Sequence, residues 1–218
     1  MKRFLYENSL TIAMALLFAL SLVGQVATGL AESNDDRTQQ GERPLELAAY
    51  LGSGHFIEAV FENWESEFLQ MGAFVVLTVF LRQKGSAESK PLSGKEAVDR
   101  IALRRPGAPW PVWRGGLAEK LYENSLAIAL FGLFAFSFAL HAVGGAMAFN
   151  DEQAAQGFAD RVTPVGYLGT SRFWFESLQN WQSEFLSVGA LIVLSIFLRQ
   201  RGSPESKPVD APHEETGE

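Results

Sequence analysis

Residues 63–69 read NWESEFL, and the apolar run that follows them ends in FLRQ at residues 80–83. Nearly the same text returns later in the chain, as NWQSEFL at residues 180–186 and FLRQ at residues 197–200. Each copy joins a polar segment containing a tryptophan to an apolar segment with a basic end. The repeat therefore predicts two equivalent segments, each of which passes from a polar into an apolar environment and ends at a basic residue.

The duplication extends over most of the chain. Aligning residues 63–91 with residues 180–208, at a constant offset of 117, gives 20 identities in 29 positions. A second motif, LYENSL, begins at residue 5 and again at residue 121, and each time it leads into an apolar run. The sequence therefore predicts two copies of a unit that contains two apolar runs.

Composition narrows the class of protein. The 218 residues are 47% hydrophobic and include 17 phenylalanines, mostly in four blocks, which is typical of an integral membrane protein. There is no cysteine, so disulfides, thiol catalysis and cysteine-bound metals are excluded. With three scattered histidines, no metal site and no cofactor are expected. A net charge of -7 argues against a nucleic-acid partner, because such proteins present excess basic residues to phosphates.

The apolar runs are long enough to cross a bilayer as helices. Residues 9–31 form a charge-free run of 23 residues, and residues 124–149 form the corresponding run of the second copy. The first run also fits a cleavable signal peptide, but the same motif recurs in mid-chain, which favours a retained helix. The run at residues 68–81 and its copy are shorter, and by length alone they fit a re-entrant or buried helix as well as a span. We favour spans and extend the two runs back to residues 63 and 180 to reach a spanning length.

The predicted fold is all-α: an integral membrane protein with four transmembrane helices arranged as two tandem, parallel-repeat helical hairpins. We place the first two-helix repeat at residues 1–92, a basic linker at 93–116, the second repeat at 117–209 and a disordered acidic tail at 210–218. Lysine and arginine number 14 in the N-terminus, the region between the copies and the tail, against 4 in the two other loops. The positive-inside rule then places both termini and the linker in the cytoplasm.

The motifs NW-x-SEFL and FLRQ-x-GS-x-ESKP, each present twice, resemble those of a bacterial family of uncharacterised integral membrane proteins with a domain of unknown function. The resemblance covers nearly the whole chain. It implies a small multi-pass protein of the bacterial inner (plasma) membrane, and it implies no catalytic residue.

Two duplicated glutamates, Glu67 and Glu184, are the strongest candidates for a functional site. Each precedes a basic residue at the inner boundary by 15 positions, about 22 Å along a helix, so each lies below the outer surface. We predict one polar membrane layer, for which the alternatives are a proton or cation site and hydrogen bonding between helices. Its members are Gln25, Asn63, Glu67, His141, Asn180 and Glu184.

At the inner boundary the sequence predicts ion pairs that close each hairpin or link the two copies. The candidates are Glu7, Arg82, Glu123 and Arg199. Trp64 and Trp181 are interpreted as anchors at the membrane interface.

No motif identifies a reaction, so we do not expect an enzyme. The expected function is that of a non-catalytic inner-membrane protein that assembles with itself or with another membrane protein within the bilayer. The alternative is a small oligomeric transporter or channel that uses Glu67 and Glu184. The expected partners are the lipid bilayer and either a second copy or another membrane protein, and the sequence does not identify a small-molecule ligand.

Overall fold

A computed structural model describes residues 2–217, and within that range the protein is helical, without strands. The helices are α1 (Lys2–Glu7), α2 (Ser9–Gln39), α3 (Leu47–Leu51), α4 (Gly54–Phe80), α5 (Trp110–Arg114), α6 (Gly116–Glu123), α7 (Ser125–Ala155), α8 (Pro164–Tyr167) and α9 (Ser171–Phe197). A short 3-10 turn, Ala97–Asp99, interrupts the segment between the copies.

The long helices occur in pairs of equal length. Helices α2 and α7 each have 31 residues, and helices α4 and α9 each have 27. Their first residues are separated by the offsets at which the sequence motifs repeat. The same succession of a long helix, a short helix and a second long helix therefore appears twice along the chain.

Local hydrogen bonds repeat as well. The Asn34 side chain donates to the Leu45 carbonyl and accepts from the Leu45 backbone nitrogen, at 3.1 and 2.6 Å. In the second copy Asn150 makes the same pair of bonds with Val162, at 2.9 and 2.8 Å. Each asparagine thus ties the end of a 31-residue helix to the loop that follows it, and it satisfies backbone groups that would otherwise lack a partner.

Among the described residues, three helices are long and apolar enough to cross a membrane, not the four that the sequence predicts. They are α2, α7 and α9. Helix α4 differs because its first half contains four glutamates, at positions 58, 62, 65 and 67, which leaves only residues 68–80 free of charge. That run would cover about 20 Å, short of a hydrocarbon core of about 30 Å. The length and composition of these three helices indicate a membrane protein.

The described residues divide into two units. The first unit contains residues 2–61 and 139–173, and the second contains residues 62–138 and 174–217. Each unit takes segments from both copies of the repeat. The boundaries predicted at residues 92, 116 and 209 therefore follow the sequence repeat and differ from those of the units.

The acidic tail is held within the second unit. The buried Lys207 ammonium donates to the carbonyls of Pro212, His213 and Glu215, at 3.1, 3.1 and 2.8 Å. Burial, together with the charge of Arg199, lowers the pKa of Lys207. Hydrogen bonds of the tail extend as far as the Gly217 amide, which donates to the Ser86 carbonyl. The disorder that composition suggests for residues 210–218 stays a prediction.

Candidate functional site

Three polar side chains are buried together in the first unit: Glu58 of α4, His141 of α7 and Tyr167 of α8. The Tyr167 hydroxyl donates to Glu58 Oε1 over 3.2 Å. A carboxylate oxygen of Glu58 and a ring nitrogen of His141 lie within 4.8 Å of each other. His141 and Tyr167 are completely buried, and Glu58 is 8% exposed. Buried polar groups are costly unless they are paired, so this cluster is a specific arrangement and not an accident of packing.

Three glycines bring the backbones close enough to form the cluster. A Cβ atom on Gly54 would lie 2.3 Å from the α7 backbone, and one on Gly144 would lie 2.4 Å from the Glu58 backbone nitrogen. A Cβ atom on Gly145 would lie 2.2 Å from the Tyr167 ring. No side chain fits at these distances. The glycines of α4 and α7 therefore fix the approach of Glu58 and Tyr167, as small residues do between membrane helices.

Aromatic rings surround the cluster. The His141 ring stacks on Phe173 of α9, with centroids 4.7 Å apart and planes at 30°. The Tyr167 ring meets the same phenylalanine edge-on, at 5.8 Å. In such apolar surroundings the effective dielectric is low, which strengthens electrostatic interactions between Glu58, His141 and any ion that reaches them.

A cavity of about 310 Å³ in the first unit reaches Glu58. It is lined mainly by the ends of α2, α4 and α7, and by the loop after α2. Five of its lining residues are acidic: Asp36, Glu42, Glu58, Asp151 and Glu152. The cavity therefore provides a route by which solvent and small cations can approach the buried carboxylate.

Tyr50 is the counterpart of Tyr167 in the first copy, and it packs against α2 in the corresponding way. A Cβ atom on Gly29 would lie 2.2 Å from its hydroxyl, which in turn lies 3.4 Å from His55 Nδ1. Burial, and secondarily the nearby Glu32 carboxylate, raises the pKa of Tyr50 above its usual value. The two tyrosines thus share a position in the repeat but differ in their partners, His55 for Tyr50 and Glu58 for Tyr167.

The residues of the predicted polar layer fall in both units. In the first unit His141 belongs to the buried cluster, and Gln25 donates to the Ala59 carbonyl over 3.4 Å. In the second unit Asn63 and Glu67 are exposed, whereas Asn180 and Glu184 are half-buried. Asn180 donates to the Glu176 carbonyl over 3.1 Å.

Sequence reasoning missed Glu65, which is fully buried in the second unit and accepts a 3.1 Å hydrogen bond from the Trp181 indole nitrogen. It also did not single out Glu58. Divergence between the copies could have identified both residues, because the repeat offset places Phe175 opposite Glu58 and Gln182 opposite Glu65. Trp181 is half-buried and bonded, so it does more than anchor an interface; Trp64 is also half-buried.

The inner-boundary residues use other partners than the predicted ones. Glu7 pairs with Arg3, one turn earlier on α1, at 2.6 Å. Arg82 donates to the carbonyls of Val79 and Leu81 at the end of α4. Arg199 donates to five carbonyls, which lie at the end of α9 and in the tail. Glu123 is exposed at the end of α6. The arginines therefore cap helix ends, where free carbonyls and the helix dipole favour a cation.

Comparison with known proteins gives a family but no characterised relative. No curated protein and no solved structure matches the chain. One family model matches residues 1–218, so the chain belongs to the family of the domain of unknown function DUF6766.

Proposed function

We propose that this is a non-catalytic protein of the bacterial inner membrane that works by assembling with a second copy of itself within the bilayer. Both termini and the basic linker lie in the cytoplasm. The support for this orientation is the distribution of lysine and arginine, 14 on the cytoplasmic side against 4 on the other. The proposal has two further parts, the position of α4 and the role of its exposed carboxylate.

The first part is that α4 also crosses the membrane. Its own sequence is not apolar enough for a span, and its packing against α7 keeps its polar residues away from lipid. Support comes from contacts between the two helices in each unit. In the first unit Gly54 and Glu58 of α4 lie against the segment of α7 that contains Gly144, with the chains running in opposite directions. In the second unit Gly72 of α4 faces the Phe131 ring of α7, and a Cβ atom placed on Gly72 would lie 3.2 Å from that ring. A helix packed along a membrane-spanning partner can tolerate polar residues that face the protein.

The second part, which carries the assembly proposal, is the exposure of Glu67. On α4 the neighbouring polar residues Glu65, Ser66 and Gln70 are already buried within the chain, while Glu67 points outward. A carboxylate that faces hydrocarbon is expensive, and membrane proteins cover such groups with another helix or with water. A second copy would cover Glu67 and Glu184, and it would supply the hydrogen-bonding side chains of Asn63 and Asn180.

The recurrence of Glu67 and Glu184 at equivalent positions of the two copies supports the alternative function, a transporter or channel. Because Glu67 is exposed, helices of its own chain do not enclose it, so a pathway that uses these carboxylates would form between copies. Both functions therefore require the same assembly. They differ in whether Glu67→Gln abolishes cation or proton flux in proteoliposomes while leaving the assembly intact.

The assembly is tested by native mass spectrometry of the parent and of Glu67→Leu released from nanodiscs. We expect a dimer or larger homo-oligomer for the parent. Leucine at position 67 is compatible with lipid, so the variant should dissociate more readily, by about 1–2 kcal/mol or five- to thirty-fold in dissociation constant. Glu123→Leu, at an exposed position of α6, is the control and should leave assembly unchanged. A parent that stays monomeric at every protein-to-lipid ratio contradicts the proposal.

A further inference from the structure

The acidic cavity of the first unit and the buried cluster meet at one residue. Glu58 lines the cavity, accepts the hydrogen bond of Tyr167 and lies beside His141. The cluster is therefore connected to the surface of the unit, although His141 itself is completely buried. A buried carboxylate and imidazole with an approach from solvent are typical of a ligand site, because packing alone does not require the approach.

The charges around the cavity favour a cation. Its five carboxylates face only two arginines, Arg37 and Arg172, which leaves a formal excess of three negative charges. Arg37 pairs with Glu42 at 2.9 Å, and Arg172 pairs with Glu152 at 3.1 Å. The lining of the cavity is therefore negative overall. A cleft lined by one sign of charge concentrates counter-ions, and here they would be concentrated next to Glu58.

The donor set then selects the kind of cation. An imidazole nitrogen and a carboxylate oxygen are ligands of divalent transition metals such as Zn²⁺ and Mn²⁺, whereas Ca²⁺ and Mg²⁺ prefer oxygen alone. The Tyr167 hydroxyl would orient the Glu58 carboxylate, as outer hydrogen bonds do around metal ligands. We propose that Glu58 and His141 bind one divalent metal cation of the Zn²⁺ or Mn²⁺ class, which enters through the acidic cavity.

The duplication predicts one such site per chain. The repeat offsets place Gln25 opposite His141 and Phe175 opposite Glu58, and neither residue can supply the same ligand. The proposed site therefore arose by divergence of the copies. It stands independently of the assembly proposal, because the residues that carry it differ from Glu67 and Glu184.

The test is isothermal titration calorimetry of the full chain in detergent. Zn²⁺ and Mn²⁺ are titrated separately, after removal of any histidine tag. We expect saturable binding of one ion per chain for at least one of the two metals. Glu58→Gln and His141→Gln should each weaken that binding at least tenfold. The chain has only two other histidines, His55 at the cavity wall and His213 in the tail. His213→Gln is the matched control for binding and should bind as the parent does, whereas His55→Gln is a control for signal assignment only.

A second measurement keeps the proposal testable if His141→Gln does not fold. In the parent labelled with ¹⁵N-histidine, the three ring signals are assigned with the two control variants. Zn²⁺ should shift the signal of His141 and leave those of His55 and His213 in place. The proposal is overturned if neither metal binds saturably, if binding survives unchanged in both cluster variants, or if the shifted signal belongs to another histidine.

Discussion

Helices α4 and α9 occupy equivalent positions in the repeat and have the same length of 27 residues, yet only α9 is apolar enough to cross a membrane by itself. Where α4 has the buried Glu58 and Glu65, the offset of 117 places Phe175 and Gln182 in α9, and both are exposed. The two copies thus share a backbone plan and differ in where they bury charge.

After a duplication, one copy of a helix can face lipid while the other is covered by neighbouring helices. A span that faces lipid must be apolar on its outer surface, whereas a span sheltered by its neighbours can carry polar groups. The packing of α4 against α7 depends on glycine, because Gly54 of α4 and Gly144 of α7 let the two backbones approach closely. Substitutions at these glycines, at the buried carboxylates and at the ends of the copies test this difference between α4 and α9.

The largest effect is expected from Gly144→Ala. Its Cβ atom would lie 2.4 Å from the Glu58 backbone nitrogen, so the two helices must separate, at a cost of about 1–3 kcal/mol. Gly132→Ala on the same helix meets nothing within 4 Å and should be neutral or slightly stabilising. Thermal unfolding in detergent measures both. Equal melting temperatures for the two variants would show that α4 does not depend on this contact.

The second effect concerns the buried carboxylate of α4. Glu65→Leu removes the acceptor of the Trp181 indole and leaves that N–H without its bond, which we expect to cost about 1–2 kcal/mol. Gln182→Leu alters the equivalent, exposed position of α9 and should change stability little. Thermal melts and the tryptophan emission spectrum check both variants. A Gln182→Leu variant that is the less stable of the two would reverse the assignment of buried and exposed faces.

A smaller effect is expected at a glycine shared by the copies. A Cβ atom added to Gly72 in α4 would lie 3.2 Å from the Phe131 ring, whereas one added to Gly189 in α9 would meet nothing within 4 Å. Alanine at position 72 should therefore cost up to about 1 kcal/mol, while alanine at position 189 should gain about 0.5 kcal/mol from its helix propensity. The difference in melting temperature between the two variants measures the asymmetry directly.

The smallest effect is a pH dependence of the tail. The hydrogen bond from Lys84 lowers the pKa of the exposed Glu214 in the folded chain. This contribution is therefore complete above the unfolded pKa of about 4.3 and is lost as the pH falls through the lower folded pKa. The Gly217 amide donates to the Ser86 carbonyl, and its protection against hydrogen exchange, measured relative to the intrinsic rate at each pH, should fall in that acidic range. In Lys84→Gln the folded and unfolded pKa values of Glu214 should become equal, so the change attributable to Glu214 should disappear.

The sequence predicts the helical class, the paired elements and the position of three spans, because apolar runs and repeated motifs record length and local structure. It does not predict that α4 lacks the apolarity of a span, since extending the run to residue 63 brings in Glu65 and Glu67. The sequence does not predict the buried cluster either. His141 stands out as a rare polar residue in an apolar run, but its proximity to Glu58 and Tyr167 depends on tertiary contacts that glycines permit and no local pattern encodes.

Cysteine labelling on either side of α4 tests most directly whether this helix crosses the membrane. Because the chain has no native cysteine, single cysteines at Gln39, Ser93 and Ala155 report accessibility without background. We predict that cysteines at positions 39 and 155 react with an impermeant maleimide in intact cells, whereas one at position 93 reacts only after permeabilisation. Labelling of positions 39 and 93 from the same side would show that α4 does not cross the membrane, and it would contradict the sheltered fourth span.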